Sequence, residues 1–147
     1  MKMDEINISI IKHLRKGRKS FKQIAEDLNL TVNTVKSRVS KMQEEGILEI
    51  SGLVNPDMIE RHQLVIVGVK LDTMALVNKG KEFSNLKGVV SASVVTGRFD
   101  LILVVLLKEG FELLEFFSDE VSQIEGVQSV ETFVTYKNFN LKVPYIL

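Results

Sequence analysis

Five side chains between positions 33 and 41 have the types and the spacing that suit contact with a nucleic acid. They are short polar or basic groups: Asn33, Thr34, Lys36, Ser37 and Lys41. Hydroxyl and amide groups can bond to base edges in a major groove, and ammonium groups can pair with phosphates. Apolar residues recur with helical spacing in the same stretch, which predicts a helix with one buried face. The five polar groups would then share the exposed face.

The charge distribution of the chain supports this interpretation. Residues 1–46 contain ten Lys or Arg against six Asp or Glu, a net charge of +4, whereas residues 47–147 have a net charge of −4 and the whole chain is neutral. A basic head on an acidic body is typical of a protein in which only the head meets a polyanion. The residues predicted to contact DNA are Arg18, Lys19, Lys22, Thr31, Asn33, Thr34, Lys36, Ser37, Arg38 and Lys41.

Three short helices are predicted in this basic part of the chain. The first runs from Asp4 to about Arg15, the second is capped by Ser20, and the third begins after Thr31. Asn29, between the last two helices, tolerates the left-handed backbone that a tight turn requires. Three helices with such a turn form the helix-turn-helix plan, whose last helix enters a major groove. A helix-turn-helix used only for protein contacts is the alternative.

The residues after the third helix predict a wing and a domain boundary. Residues 47–54, with Ser51-Gly52 as the turn, have the pattern of a small hairpin. Asn55-Pro56-Asp57 then interrupts regular structure. We therefore expect a winged helix-turn-helix domain at 1–55, a linker at 56–63 and a second domain at 64–147.

The second domain alternates strands and helices in the order β-α-β-β-α-β, the ferredoxin-like arrangement, so the fold class is α+β. Strands are expected at 64–71, 89–96, 100–107 and 127–136. The two helices are expected to bury Leu76, Gly80, Phe83 and Leu86, and Leu114, Phe117, Val121 and Ile124. The two halves repeat, because Gly88-Val89 recurs as Gly126-Val127, 38 residues later.

The sequence pattern contains no arrangement that indicates catalysis or metal binding. The two histidines, His13 and His62, are isolated, and the chain has no cysteine and no glycine-rich phosphate loop. We therefore expect no enzymatic activity, no cofactor and no metal. The chain opens without the pattern of a signal peptide, and its longest apolar run, Leu101–Leu107, is too short to span a bilayer. We expect a cytoplasmic protein with no membrane partner.

Several short motifs, taken in order, resemble the Lrp/AsnC (feast/famine) regulators over nearly the whole chain. They include Gly17-Arg18-x-Ser20, Ile24-Ala25-x-x-Leu28-Asn29-Leu30-Thr31, Val35-x-x-Arg38-Val39, Glu45-Gly46-Ile47-Leu48, Thr96-Gly97-Arg98-Phe99-Asp100-Leu101, Gly126-Val127 and Glu131-Thr132. The resemblance implies a DNA-binding head and a ligand-responsive oligomerisation domain, with dimers as the basic unit. Asn29 and Thr31 depart from the Gly and Ser that are more usual in the turn, and Asn7 stands where a second Asp is common.

The turn between the two central strands is the predicted effector site. Gly97 can direct neighbouring N–H groups toward a ligand carboxylate, Arg98 could hold that carboxylate instead, and Asp100 could accept from an ammonium group. The predicted site comprises Thr96, Gly97, Arg98, Phe99, Asp100 and Thr132. The same turn could equally be a tight hairpin between two buried strands with no ligand. The resemblance favours an amino acid or a similar small metabolite.

The expected partners are double-stranded DNA and further copies of the chain. A four-stranded sheet with exposed edges leaves surface that a dimer would cover. Two alternatives to a sequence-specific transcription regulator stay open. One is a ligand-sensing or assembly protein without DNA binding, which the absence of a salt-dependent shift of duplex DNA would indicate. The other is a small enzyme on a ferredoxin-like core, which would require convergent polar groups in a deep pocket.

Overall fold

Each of the first three helices begins at a capping side chain. The side chains of Asp4, Ser20 and Thr31 accept a hydrogen bond from the backbone N–H three residues later, which gives a partner to a donor at the helix start. In the computed structural model, which describes residues 3–147, the helices are α1 (Glu5–Leu14), α2 (Phe21–Asp27) and α3 (Val32–Glu44). The predicted caps at Ser20 and Thr31 are confirmed.

A tight turn joins α2 to α3, as the helix-turn-helix plan requires. Asn29 has a φ of 53°, in the left-handed region, and the N–H of Leu30 donates to the carbonyl of Ala25 over 2.8 Å. Leu30 packs against the apolar core of the three helices. The fully buried members of that core are Ile10, Ile24, Ala25, Val35, Val39 and Met42. The predicted three-helix arrangement and its turn residue are confirmed.

The hairpin predicted over residues 47–54 is not formed. Leu53–Val54 (β1) instead pairs antiparallel with Val143–Pro144 (β6). This pairing places Val54 against an apolar cluster in which Val143 is 3% exposed. A hairpin with residues 47–50 would have left Val54 beside largely exposed side chains, so burial of apolar surface favours the distant partner.

The second unit of the chain consequently begins earlier than the sequence pattern suggests. The two compact units are Met1–Ser51 and Gly52–Leu147. Within residues 56–63, assigned above to a linker, Pro56–Met58 forms a 3₁₀ turn with Pro56 buried, and His62 begins a strand. The carboxylate of Asp57 accepts hydrogen bonds of 2.8 Å from both the backbone N–H and the side-chain amide of Asn138. These contacts make the segment part of the folded unit.

Four antiparallel strands form the sheet of the second unit, in the order β3-β4-β2-β5. The strands are β2 (His62–Leu71), β3 (Val89–Val94), β4 (Leu101–Lys108) and β5 (Val127–Val134). β2 is central, so that Val65 lies opposite Val105 on one side and Val134 on the other. One helical segment follows β2 and another follows β4, and the order β-α-β-β-α-β confirms the ferredoxin-like prediction.

The first crossover helix is regular and the second is not. The first, α4, spans Leu76–Ser84 and buries Gly80 and Phe83, as predicted. The second begins as α5 (Leu113–Glu115), widens into a π-helical turn at Phe116–Glu120 and ends in a 3₁₀ turn at Val121–Gln123.

The wide turn changes which residues of the second crossover reach the core. The prediction that Leu114 faces inward is wrong, because its side chain is 74% exposed. The N–H of Val121 bonds to the carbonyl of Phe116, five residues earlier, so these two side chains share one side of the segment. Phe116 is fully buried, and Val121 and Ile124 are nearly so.

The two faces of the sheet have different coverings. Alternate residues of the central strands face the helices and are buried: Val65, Val67, Val69, Leu101, Leu103 and Val105. Phe83 and Phe116 pack against them. On the other face Leu64 and Leu106 pack against Val143, whereas Phe133 of β5 is 45% exposed. The C-terminal segment therefore covers part of the second face.

Candidate nucleic-acid interface and ligand site

The exposed side of α3 carries the side chains predicted to contact base edges and phosphates. Asn33, Lys36, Ser37 and Lys41 are exposed, and Thr34 is half-buried. An open depression of about 600 Å³ lies between this side of α3 and the first turn of α1. It is lined by Asp4, Asn7, Asn33, Thr34, Ser37, Arg38 and Lys41. Lys36 lies outside the depression.

Thr31 and Thr34 form a small hydrogen-bonded pair at the start of α3. The hydroxyl of Thr31 accepts from the backbone N–H of Thr34 over 3.1 Å, and the two hydroxyl oxygens are 2.8 Å apart. The Thr31 side chain therefore sets where α3 begins. Through this pair the hydroxyl of Thr34 is oriented beside the depression.

Arg38 is held by Asn7 of α1 and by Asp4, the residue that caps α1. Its Nη1 donates to Oδ2 of Asp4 over 2.7 Å and to Oδ1 of Asn7 over 2.9 Å. Asn7 is only 2% exposed. The other carboxylate oxygen of Asp4 accepts the capping hydrogen bond from the N–H of Asn7, and this bond, followed by the Arg38 contact, holds the pKa of Asp4 below its usual value. Arg38 is thus placed at the depression by α1.

Asp4 and Asn7 belong to this site, although their part in it is not predicted from the sequence. The signal that could have found them is the position of Asn7 on the inner stripe of α1, three residues before the buried Ile10. A polar side chain at such a position requires a hydrogen-bond partner from another element. The partner is Arg38, a residue predicted from the sequence to contact only DNA.

The basic residues around α2 differ in how far their charge is available. Arg18 and Lys22 are exposed. The ammonium group of Lys19 pairs with the carboxylate of Asp27 and lies 2.9 Å from Nδ1 of His13. The hydrogen bond from Lys19 lowers the pKa of Asp27. Arg18 and Lys22 are therefore better placed than Lys19 to meet a phosphate.

The predicted effector turn is held in shape by Asp100. Its Oδ2 accepts from the N–H of Leu71 over 2.8 Å, and its Oδ1 lies 3.6 Å from the ammonium group of Lys70. The N–H of Asp100 donates to the carbonyl of Val69 over 2.9 Å. One carboxylate oxygen is thus committed to the backbone of β2, and only the other faces a cation. Gly97 has a φ of +118° and open space beside its Cα.

Arg98 and Phe99 lie over the partly covered face of the sheet. Nη2 of Arg98 is 3.1 Å from Oε2 of Glu131, and the Arg98 side chain is 79% exposed. The ring of Phe99 rests on the backbone of Gly68 and meets the Phe133 ring edge-on, with centroids 6.3 Å apart. Gly68 is not among the residues predicted for this site, although a lone glycine inside an apolar strand often marks such a close approach.

Thr132 does not join the other residues of the predicted effector site. It lies opposite Val67, whose side chain is buried under the helices, whereas Glu131 lies opposite Gly68. Because side chains alternate along a strand, Thr132 and Glu131 point to opposite faces of the sheet. The structure therefore brings together Arg98, Phe99 and Asp100 at the turn and leaves Thr132 on the other side.

A cavity of about 510 Å³ lies near the start of β2 and the end of β4. It is lined by Arg61, His62, Gln63, Leu107, Lys108, Glu109, Glu112 and Leu113. None of the residues predicted for the effector site lines it. It has room for a small molecule.

The structure describes residues 3–147. No helix among them is long and apolar enough to cross a membrane. In the same residues, no group of three or more His, Asp or Glu side chains is arranged to hold a metal ion.

Sequence comparisons match both units to known domains. The profile of a winged helix-turn-helix DNA-binding domain matches residues 3–49, and the profile of the Lrp/AsnC ligand binding domain matches residues 64–142. An HTH-type transcriptional regulator of Pyrococcus furiosus is 30% identical over 134 residues, which cover 90% of each chain.

Solved structures share the whole fold at lower identity. The leucine response regulatory protein of Mycobacterium tuberculosis aligns with a TM-score of 0.79 at 18% identity, over 95% of this chain and 96% of that one. A Neisseria meningitidis regulator in complex with L-Met aligns with a TM-score of 0.71 at 18% identity, over 99% and 96%. The fold and site thus define a helix-turn-helix transcription regulator with a separate ligand-binding domain. The chain belongs to the Lrp/AsnC family.

Proposed function

We propose that this regulator binds specific sequences of double-stranded DNA through α3, and that a small metabolite of the amino-acid type modulates the binding. One observation carries the DNA part of the proposal. α3 is divided into a buried apolar side and an exposed side that is polar and cationic, in the part of the chain that has a net charge of +4. That division suits a helix seated in a major groove.

The exposed residues of α3 are assigned two roles. Asn33, Thr34 and Ser37 carry short polar groups that can form hydrogen bonds with base edges. A changed base pair at such a contact should cost about 1–3 kcal/mol of binding free energy. Lys36 and Lys41 hold phosphates, as do Arg18 and Lys22 beside α2. Phosphate contacts contribute on every sequence and weaken as salt rises, because each one releases condensed cations from the DNA.

A lysine substitution tests this placement. Duplexes selected by the protein from a random pool, and scrambled versions of them, are titrated by fluorescence anisotropy over a range of salt concentrations. Lys36→Ala should weaken binding to both duplexes about equally and reduce the salt slope by about one. Lys142→Ala removes an exposed lysine of the second unit and serves as the control.

Two results would contradict the DNA-binding proposal. If Lys36→Ala left affinity and salt slope unchanged, the placement of α3 would be wrong. If the wild-type protein shifted no duplex in a salt-dependent way, the alternative of a ligand-sensing or assembly protein without DNA binding would replace the proposal.

The second unit is proposed to assemble the protein, at least into a dimer. The partly covered sheet face has Phe133 exposed beside Phe99, and Val134 on the edge strand β5 is 53% exposed. A two-fold dimer that reads successive major grooves would space its two α3 helices about 34–36 Å apart and favour a pseudo-palindromic site. The monomer has a mass of 16.6 kDa, which light scattering distinguishes from a dimer.

Paired substitutions test the surface used for assembly. Phe133→Ser removes an exposed ring from the partly covered face and should shift the mass toward that of the monomer. Leu114→Ser removes a 74% exposed side chain from the second crossover segment and should not. Equal masses for wild type and Phe133→Ser would exclude this face as the interface, and a wild-type monomer at micromolar concentration would exclude assembly.

The turn at 96–100 is the proposed effector site. Its exposed Arg98, which also contacts Glu131, and the open backbone at Gly97 suit a ligand carboxylate. The Asp100 oxygen that faces Lys70 is the acceptor proposed for a ligand ammonium group. The regulator solved with L-Met supports an amino acid as the ligand class. Asp100 then has two roles. One carboxylate oxygen is proposed to contact the ligand, and the other accepts from the N–H of Leu71 and fixes the shape of the turn.

A thermal-shift screen of the twenty amino acids tests this site. A ligand at 100 times its Kd should stabilise the protein by about 2.7 kcal/mol, a shift of several degrees. The shift should be lost in Gly97→Val and Asp100→Ala, each compared with its own unliganded transition, and kept in Glu112→Ala, which alters the cavity near the start of β2. Loss in Glu112→Ala alone would move the ligand to that cavity, and no shift with any amino acid would refute the proposal.

A further inference from the structure

The contact between Arg38 and α1 uses only one nitrogen of the guanidinium group. Nη1 makes both hydrogen bonds, to Asp4 and to Asn7. Within residues 3–147, Nε and Nη2 donate no hydrogen bond, and the Arg38 side chain is 30% exposed. The contact that links α3 to α1 therefore leaves Nε and Nη2 of Arg38 free to donate to another group.

The unused pair of donors has a defined chemistry. Two parallel N–H groups of a guanidinium match the O6 and N7 acceptors of guanine, and they match two phosphate oxygens equally well. Arg38 lines the depression together with Thr34, Ser37 and Lys41, the residues proposed to meet DNA. A guanidinium group that is free to move pairs with the phosphates, because they carry the negative charge of the DNA. A guanidinium group that is held in place can instead be directed at a base.

The residues that hold Arg38 are themselves fixed. Asp4 has one oxygen on the N–H of Asn7 and the other on Arg38. Asn7 is 2% exposed, so packing restrains its side chain. An uncharged Asn or Ser would cap α1 as well as an Asp does. The negative charge of Asp4 is therefore unnecessary for the cap, and it lies beside a surface proposed to meet a polyanion.

We propose that Asp4 and Asn7 are positioning residues for base recognition by Arg38. They pair with Nη1 of Arg38, a residue that lines the depression, and so leave the edge formed by Nε and Nη2 available to a base. The negative charge of Asp4 also disfavours the approach of a phosphate to the same group. This inference rests on the proposed binding of DNA through α3.

Two acidic residues of the same turn provide a matched pair of variants. Asp4→Asn removes the charge and retains a good helix cap. Glu5→Gln removes an equal charge one residue later, from an exposed side chain that does not line the depression. Arg38→Ala removes the recognition group itself. Each full-length protein selects duplexes from a random pool, and its affinities for the wild-type selected duplex and a scrambled duplex are measured by anisotropy.

Arg38→Ala and Asp4→Asn should lose base preference at the same position of the selected sequence. The ratio of affinities for selected and scrambled duplex should fall on the order of ten-fold in both. In Asp4→Asn the freed guanidinium should add a phosphate contact, so that binding to scrambled duplex tightens and the salt slope steepens by about one. Glu5→Gln should retain the base preference of the wild type.

Asn7 supplies an independent check on the same contact. Asn7→Asp retains an oxygen acceptor for Nη1 and should retain the base preference, whereas Asn7→Leu removes the acceptor and should lose it. Urea unfolding of every variant separates preference from stability. A variant that loses stability but retains preference assigns the contact to the fold and overturns the inference.

The remaining outcomes are distinguishable from failure of the proposed function. If the wild type selects a sequence and Asp4→Asn keeps the same preference as Glu5→Gln, only the positioning role is wrong. If Arg38→Ala leaves the selected sequence unchanged, Arg38 reads no base and the inference is again overturned. If the wild type selects no duplex, the proposed function and this inference are both refuted.

Discussion

A single methyl group at Gly68 tests how the predicted effector turn is packed. A Cβ built at this position lies 2.7 Å from three atoms of the Phe99 ring, whereas ordinary contacts lie at 3.4–4 Å. Gly68 lies inside β2, and its φ is not in the left-handed region, so alanine fits the backbone there. Whether Gly68→Ala raises or lowers the free energy of unfolding therefore depends on whether the Phe99 ring can move away from the added methyl group.

The two contributions to the free energy of unfolding oppose each other. Replacing glycine by alanine inside a strand stabilises the fold by about 0.5–1 kcal/mol, because the unfolded chain loses freedom. Forcing a ring out of a packed position costs about 1–3 kcal/mol. Phe99 also meets Phe133 edge-on, which restrains its escape. We expect Gly68→Ala to lower the free energy of unfolding by about 0.5–2 kcal/mol.

Urea unfolding at one fixed protein concentration measures this change, because the proposed assembly would make the apparent stability depend on concentration. Gly52→Ala is the control, since its Cβ would meet nothing within 4 Å. In a Phe99→Ala background the clash is absent, so Gly68→Ala should become stabilising by about 0.5–1 kcal/mol. If Gly68→Ala were already stabilising with Phe99 present, the ring would not rest on Gly68.

Three further substitutions have defined outcomes. Thr31→Val removes the cap of α3 and should cost about 1 kcal/mol in urea unfolding, whereas Thr31→Ser should cost much less. Phe116→Ala empties a fully buried position and should cost about 3–5 kcal/mol, against less than about 0.5 kcal/mol for the exposed Leu114→Ala. The hydrogen bond from the backbone N–H of Asn138 holds the pKa of Asp57 below its ordinary value of 3.8. The ionised Asp57 therefore stabilises the fold above pH 3.8, and this contribution is lost as the pH falls through the lowered pKa. Acid unfolding of Asp57→Asn should therefore depend less on pH over that range than that of wild type, and identical acid transitions would contradict the assignment.

Features that depend on a few adjacent residues could be predicted from the sequence. Ser20 and Thr31 cap helices because a hydroxyl three residues before a free N–H is a local arrangement. Asn29 adopts the left-handed backbone for an equally local reason. The apolar strands of the second unit alternate with helices in an order that leaves few topologies, so the sheet could also be predicted.

Features that depend on distant residues could not be predicted. Val54 pairs with Val143 because that pairing is better buried, and periodicity contains no information on such a choice. The π-helical turn shifts the inward position from Leu114 to Phe116, which an ideal helical period cannot indicate. At the candidate sites the types of the side chains could be predicted, but their hydrogen-bond partners could not. Arg38 donates to Asp4, and Asp100 accepts from the backbone N–H of Leu71.

The pairing of Leu53 with Pro144 has a consequence for the order in which the chain can fold during synthesis. The three helices of the first unit need contacts only among residues before position 52, so they can close while the rest is still being translated. β1 must wait for β6, and the central strand β2 must wait for β5. A ribosome would therefore present a folded helix-turn-helix some seconds before its sheet is complete. Nascent chains would hold a folded DNA-binding domain before the unit that is proposed to assemble the protein is complete.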